Sequence, residues 1–303
     1  MATRVGFIGL GTIGKYMALS IQRAGLPLVV FDIRPEPLVE LESAGAATAI
    51  SCRDVAERCD VLVIMVLNRP QAESVLDGEQ GALAALRPGQ TVVVMSTIAP
   101  ADAKHLAGMV ESKGAQYVDS PVSGGYLRAA DGTLTLMLGG KQEAVEAARP
   151  ALEAMGKFLY YAGPEPGAGQ SLKMINQMLM GIHEVAAMEA MTLATKAGLD
   201  PELVYEVISH GTGDSWAFRN RVDRLMARDF TNRGALEILH KDLGIVLEAA
   251  RVTKTPLLLA PMAYQAYQMG MVAGLAREDD SAVGKVYEMM ADVETHKRPR
   301  SEA

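Results

Sequence analysis

Apolar residues in the first half of the chain come in short unbroken runs, each closed by glycine, proline or a small polar residue and followed by helical spacing. Arg4 to Ile8, Leu28 to Phe31, Val61 to Val66, Thr91 to Met95 and Gln116 to Asp119 are such runs. Runs of this length without polar alternation predict strands buried on both faces, as in a parallel sheet covered by helices. Thr133 to Leu138, a helix from about Gln142, and a strand over Phe158 to Tyr161 complete this region near Ala162. The pattern then changes. From about Gly169, apolar positions recur at Leu172, Ile175, Leu179, Ile182, Ala186, Leu193 and Ala197 up to Gly198, which predicts one helix of roughly thirty residues. That length suits a helix joining two domains. Beyond it the spacing is helical throughout: from Pro201, over Trp216 to Met226, over Leu236 to Ala250, and over Ser281 to Val293, with breaks expected at Pro256 and Pro261. The tail from Glu294 to Ala303 is polar and predicted to fray. The fold class is therefore α/β, with an N-terminal parallel-sheet domain over 1–163, then an all-helical domain over 164–303, linked by the long helix.

The first strand runs into Gly9-Leu10-Gly11-Thr12-Ile13-Gly14 and then a helix to about Ala24. Glycines at this spacing allow a tight turn, close backbone approach to a pyrophosphate, and helix–strand contact, with the helix N-terminus facing the phosphates. The second strand ends at Asp32-Ile33-Arg34. An acid there suits a ribose 2′-hydroxyl and disfavours a 2′-phosphate, so NAD is preferred over NADP; Arg34 argues the other way. A strand-end turn is the bland alternative for Asp32.

Further candidates sit where later strands end, the edge at which open α/β sheets collect ligands. Val66-Leu67-Asn68 follows the third long run. Ser96 and Thr97 follow the fourth, and either cap the helix after Pro100 or face a nicotinamide; the two roles are compatible. Ser123-Gly124-Gly125 offers a hydroxyl and bare backbone N–H groups, a nest for a carboxylate, or else is a plain turn. Early in the long helix, Lys173, Asn176 and Gln177 share one face at i, i+3 and i+4. A lysine there opposes the macrodipole, and with solvent excluded its pKa falls, which suits proton transfer. An exposed lysine beside two solvated amides is the competing reading. Arg219, Arg221 and Arg224 are expected to form a solvated or interface face, and His240 to be structural.

The net charge of −7 argues against nucleic acid or an anionic membrane as partner. No apolar run approaches a membrane span, and the first strand begins at once, leaving no room for a signal peptide. Cys52 and Cys59 have no metal-type companions and are expected as free thiols in a reducing cytoplasm; no metal site is expected.

Together these segments resemble the β-hydroxyacid dehydrogenases, the group that contains 3-hydroxyisobutyrate and tartronate semialdehyde enzymes and, more distantly, 6-phosphogluconate dehydrogenase. The resemblance covers nearly the whole chain. Its anchors are the glycine loop, Ser96-Thr97, Pro121-Val122-Ser123-Gly124-Gly125, Gly132-Thr133-Leu134, Lys173 with Asn176, and Lys241-Asp242-Leu243. It implies a Rossmann-type first domain and hydride transfer between NAD(P) and a small 3-hydroxy acid or its semialdehyde. Lys173 would be the general acid/base, its pKa lowered by burial and by a second cation at Lys241. The residues Ser123, Gly124 and Gly125 would hold the substrate carboxylate. Asn176, with Gln177, would orient the substrate, and Lys241 would lie near cofactor and substrate. Family members also imply a homodimer or homotetramer built on the helical domain, whose apolar helices offer more surface than one copy buries. Three positions depart from the pattern: Ile13 for a methionine, Arg128 for a glycine or lysine, and Asn232-Arg233-Gly234-Ala235 for a stretch ending in phenylalanine. The alternatives are an imine or ketone reductase on the same fold, which usually lacks the lysine, and a non-enzymatic NAD(P)-binding sensor.

Overall fold

A computed structural model describes residues 2–297. The chain divides into two compact units, Met1–Lys173 and Met174–Ala303.

The first unit contains the sheet. Its elements are β1 (Val5–Ile8), α1 (Gly14–Arg23), β2 (Leu28–Phe31), α2 (Pro35–Ser43), β3 (Ala47–Thr48), α3 (Cys52–Arg58), β4 (Val61–Ile64), α4 (Arg69–Asp77), β5 (Thr91–Val94), α5 (Pro100–Glu111) and β6 (Gln116–Asp119). β7 (Val122–Ser123), α6 (Gly125–Ala130), β8 (Leu134–Gly139), α7 (Gln142–Met155) and β9 (Gly156–Gly163) follow, and α8 (Ala168–Lys196) begins in this unit. Strands β3-β2-β1-β4-β5-β6 lie in that order and are all parallel. β8 then adds antiparallel to β6 and β7 and parallel to β9, giving a mixed edge. Successive residues of a strand serve opposite faces. On β4, Val61 and Val63 join the core formed with α1 and α7, while Leu62 and Ile64 join the core formed with α3, α4 and α5. The continuous apolar runs exist because both faces are covered.

The second unit is helical. After α8 come α9 (Pro201–Ser209), α10 (Trp216–Ala227), α11 (Leu236–Thr253), α12 (Leu259–Val272) and α13 (Val283–Ala291). Leu225, Leu236, Leu239, Leu243, Tyr267 and Val283 form its main core with Val185 and Met188 of α8.

Several expectations need correction here. Pro261 does not break a helix: it is the third residue of α12, in the first turn, where a missing N–H removes no helical bond. Arg221 and Arg224 are not a solvated face. Arg221 is buried against Asp280 and Glu184, Arg224 is half-buried on Asp279, and only Arg219 is exposed. The described part of the tail is docked and not frayed. Thr295 is fully buried, its N–H donates to Glu288 Oε1 at 2.7 Å, and the Lys297 N–H donates to the Met226 carbonyl. The rest of that tail lies outside the described residues.

Candidate active site

The glycine loop is shaped by what surrounds it. Gly9 has φ of 97°, and a side chain there would collide with the Met65 carbonyl; a side chain on Gly14 would collide with the Gly9 carbonyl. Gly11 differs, because a Cβ there would meet nothing within 4 Å. The loop thus keeps an open cradle beside the N-terminus of α1, whose N-cap Ile13 supplies no side-chain cap. Uncapped N–H groups beside free space fit a pyrophosphate. Asp32, directly after β2, accepts from the Leu10 N–H at 2.6 Å and the Arg34 N–H at 2.9 Å. Arg34 folds back, its Nε on Asp32 and its Nη2 on the Leu10 carbonyl. Ile33 between them is exposed.

At the end of β4, the Val66 N–H donates to Ser96 Oγ at 2.9 Å. Ser96 is therefore no cap for α5, whose N-cap is Ala99 with no side-chain bond. It faces inward to the next strand because it is fully buried and Val66 offers a donor. Asn68 caps α4 by accepting from the Gln71 N–H, and Gln71 answers by accepting from the Leu67 N–H. Thr97 stands at the same carboxyl edge, half-buried.

The turn after β7 is more than a loop. Ser123 ends the strand, Gly124 and Gly125 follow with φ of 129° and 68°, and α6 begins at once. The glycine signal concealed that short helix. A Cβ on Gly125 would meet nothing within 4 Å, so this backbone is open, while Arg128 packs its aliphatic stem against Gly124.

The start of α8 meets the end of β6. Asp119, fully buried, accepts from the Gly167 N–H at 2.6 Å and the Gln170 N–H at 2.8 Å. Burial pushes its pKa up to about 6, against the opposing pull of these backbone donors. Gln170 accepts from the Ile98 N–H at 3.1 Å and donates to the Ser96 carbonyl at 2.8 Å. Lys173, one turn on, is buried at 7 % exposure. That excludes the exposed-lysine reading. Asp119 and Gln170 were missed from sequence; the one available signal was Gln170 lying three residues before Lys173, on its face of the helix.

In the second unit, Asp242 gathers the remaining candidates. It accepts from Gln177 Nε2 at 2.6 Å through one oxygen and from Lys241 Nζ at 2.6 Å through the other, and Asn176 donates to Gln177 Oε1. Lys241 therefore acts on its surroundings as half of an ion pair and not as an isolated cation. His240 stacks on Tyr264 and bonds Gln268, a structural role.

Cys52 and Cys59 are free, and burial raises both thiols, to about 11 and about 12. Among the described residues, no group of three or more His, Cys, Asp or Glu is placed to hold a metal ion, and no helix is long and apolar enough to cross a membrane.

A parallel sheet ending in an open glycine cradle, with an acid after β2 and a buried lysine at the carboxyl edge, defines the class of nicotinamide-dinucleotide oxidoreductases. Residues 4–163 match the NAD binding domain of 6-phosphogluconate dehydrogenase, and residues 167–287 match the NAD-binding family of NADP-dependent 3-hydroxyisobutyrate dehydrogenase. L-threonate dehydrogenase from Cupriavidus necator is 42% identical over 95% of this chain and 97% of its own length. The 2-(hydroxymethyl)glutarate dehydrogenase from Eubacterium barkeri is 36% identical over 96% of both chains. A solved 3-hydroxyisobutyrate dehydrogenase from Salmonella typhimurium superposes with a TM-score of 0.89 at 39% identity, over 94% of this chain and 99% of that one. The chain belongs to the β-hydroxyacid dehydrogenase family. It is an NAD(P)-binding oxidoreductase that acts on the hydroxyl of a small hydroxy acid.

Proposed function

We propose that Lys173 is the proton-transfer group of this reaction and that the substrate is a short 3-hydroxy acid with a free carboxylate, L-threonate being the first to try. The carrying observation is the burial of Lys173 on a helix whose first turn is bonded to the ends of two strands. A nicotinamide held by the glycine loop would supply the hydride acceptor in oxidation and the hydride donor in reduction. As the hydroxyl carbon loses hydride, neutral Lys173 Nζ takes the hydroxyl proton and becomes the ammonium; in reduction the ammonium gives that proton back. The Ser123 hydroxyl and the N–H groups of Gly124 and Gly125 hold the carboxylate, which fixes the reacting carbon. Asn176, one turn beyond Lys173 on α8, orients the substrate, with Gln177 and Lys241 steadied by Asp242.

Gly9 to Gly14, Asp32 to Arg34, Val66 to Asn68 and Thr97 hold the dinucleotide in this reading, with Lys241 near it, and residues 1–163 form its domain. Residues 164–303 carry substrate contacts and assembly. NAD is favoured over NADP, because the Asp32 carboxylate repels a 2′-phosphate and already engages Arg34. Exposed Leu193, Leu203, Val207, Met262 and Val272 support a homodimer or homotetramer. Two unpaired thiols, Cys59 buried and Cys52 half-buried, support a reducing, cytoplasmic setting.

The test is dinucleotide reduction by pure protein with L-threonate, 3-hydroxyisobutyrate, 2-(hydroxymethyl)glutarate and glycerate, using NAD and NADP in parallel. Lys173→Ala should lose about 10²–10⁴-fold in kcat while still binding NADH. Undiminished turnover by that variant, or dinucleotide binding with no acid turned over, overturns the reading. Light scattering of the same sample decides the assembly state.

A further inference from the structure

We infer that Asp119 and Gln170 are positioning residues for Lys173: they fasten the first turn of α8 to the ends of β6 and β5, and so fix where the lysine amine stands. The inference rests on reading Lys173 as the proton-transfer group.

Asp119 takes backbone N–H groups of Gly167, Gly169 and Gln170, the donors that an α-helix leaves unsatisfied at its start. Its negative charge also meets the positive end of the helix dipole. Gln170 then reaches across to the segment after β5, using its oxygen on the Ile98 N–H and its amide on the Ser96 carbonyl. Ser96 in turn holds the Val66 N–H, so the strand ends β4, β5 and β6 and the start of α8 are tied in one chain of hydrogen bonds. The fit is close, since a side chain on Gly169 would strike the Met137 carbonyl and the Asp119 carboxylate. Asp119 and Gln170 are both buried, with 0 % and 1 % exposure, so neither bond competes with solvent. Rotation or lifting of this turn moves Lys173 with it, and misplacement by about 1 Å can cost about 10²-fold in rate.

The Asp119 carboxylate must be ionised to accept from its donors through both oxygens. Protonation places an O–H against an N–H and loosens the turn. The titratable groups on its own strand and on α8 nearby are Tyr117 and Lys173. The charges of α5, packed on the same strand, are matched elsewhere: Asp102 with Arg69, His105 with Glu73, and Glu111 with Lys141. Lys104 of α5 is exposed. On α7, Arg149 pairs with Glu146 and Glu153.

The experiment compares wild type, Asp119→Asn, Gln170→Leu and Lys173→Ala in the reductive direction, where a protonated lysine is the active form and its titration cannot lower the rate at acid pH. Asp119→Asn should lower kcat by about 10²-fold while changing the dinucleotide KM less than about threefold. Wild-type kcat should fall as pH drops through about 6, and this inflection should vanish in Asp119→Asn. Hydrogen exchange of residues 167–173, corrected for intrinsic rates, should quicken in Asp119→Asn and in wild type below the same pH. If Asp119→Asn does not fold, Gln170→Leu must show the kcat loss and the faster exchange. Faster exchange with unchanged kcat, or unchanged exchange, overturns the inference. Full activity in Lys173→Ala with quickened exchange in Asp119→Asn instead rejects the lysine's role, and the positioning role with it, while the bonds from Asp119 to the start of α8 are seen to form.

Discussion

In the first unit, Asp119, Gln170, Ser96 and Asp32 direct their polar atoms to backbone N–H and carbonyl groups. In the second, Arg221, Glu184, Asp279 and Asp280 are buried together, with Arg224 half-buried on Asp279. Bonds to backbone fix loops, whose course no propensity dictates, and the loops concerned lie at the carboxyl edge of the sheet. Bonds between charges fix helices already formed, and hold α8, α10 and the turn before α13 in one arrangement. The two kinds should therefore fail differently. Loss of a backbone-directed group leaves a neutral N–H unpaired, whereas loss of one charge strands another in a medium that solvates it poorly.

The largest loss of stability should come from Arg221→Ala. It removes the cation that Asp280 meets at 2.7 Å and that lies 3.6 Å from Glu184, with both acids buried. The expected cost is about 3–5 kcal/mol, read as a lower denaturant midpoint for the transition of the second unit. A loss below about 1 kcal/mol would mean that the network is incidental to the helical packing.

A smaller loss, about 1 kcal/mol, is expected for Ser96→Ala, which leaves the Val66 N–H without its partner. Hydrogen exchange of α5 should not change, because Ser96 gives that helix no cap. Weakened protection at the start of α5 would restore the capping role and break the contrast between the units at that point.

The same contrast explains what was legible in the sequence. The strand–glycine loop–helix unit and the thirty-residue helical pattern were readable because each depends on local spacing: glycine where backbone crowds backbone, and apolar residues at the helical period. The observed α8, of 29 residues, begins one residue before the expected start. The capping reading of Ser96 failed because a hydroxyl beside a proline-started helix looks like a cap, while its partner lies just past the end of another strand, 30 residues away. Arg221 and Asp280 are 59 residues apart, and nothing in the local pattern of either announces the other. Asp119 was hidden for the same reason, since a strand-end acid reads as solvated until the helix N-terminus it serves is in place. Lys173 and Asn176 were singled out by spacing on one face, but Asp242, which steadies Gln177 and Lys241, needed the packing of α11 beside α8.

The smallest loss should come from Glu184→Gln, and its dependence on pH carries the most information about the second unit. Three acids, Glu184, Asp279 and Asp280, share two arginines there, so one negative charge is in excess. Asp280 and Asp279 take the close arginine contacts at 2.7 Å, and Glu184 is left at 3.6 Å, fully buried, with the Tyr267 hydroxyl at 2.9 Å. Burial, reinforced by the nearby Asp280 charge, holds Glu184 well above the usual carboxylate range, so it is the neutral acid of the group. Glutamine copies the shape and charge of that form, so the substitution should cost less than about 1 kcal/mol in acid and nothing at neutral pH. A raised folded-state pKa means that the folded protein keeps a proton the unfolded chain releases. The contribution of Glu184 to stability is then complete below its unfolded pKa and is lost as pH rises toward the folded value. Wild type should lose stability relative to Glu184→Gln across that window, with the two curves meeting in acid. Denaturant midpoints of both proteins from pH 4 to 9 decide the matter. A glutamine variant weakened by several kcal/mol at neutral pH would show that Glu184 is ionised, and that this unit buries an excess charge instead of a neutral acid.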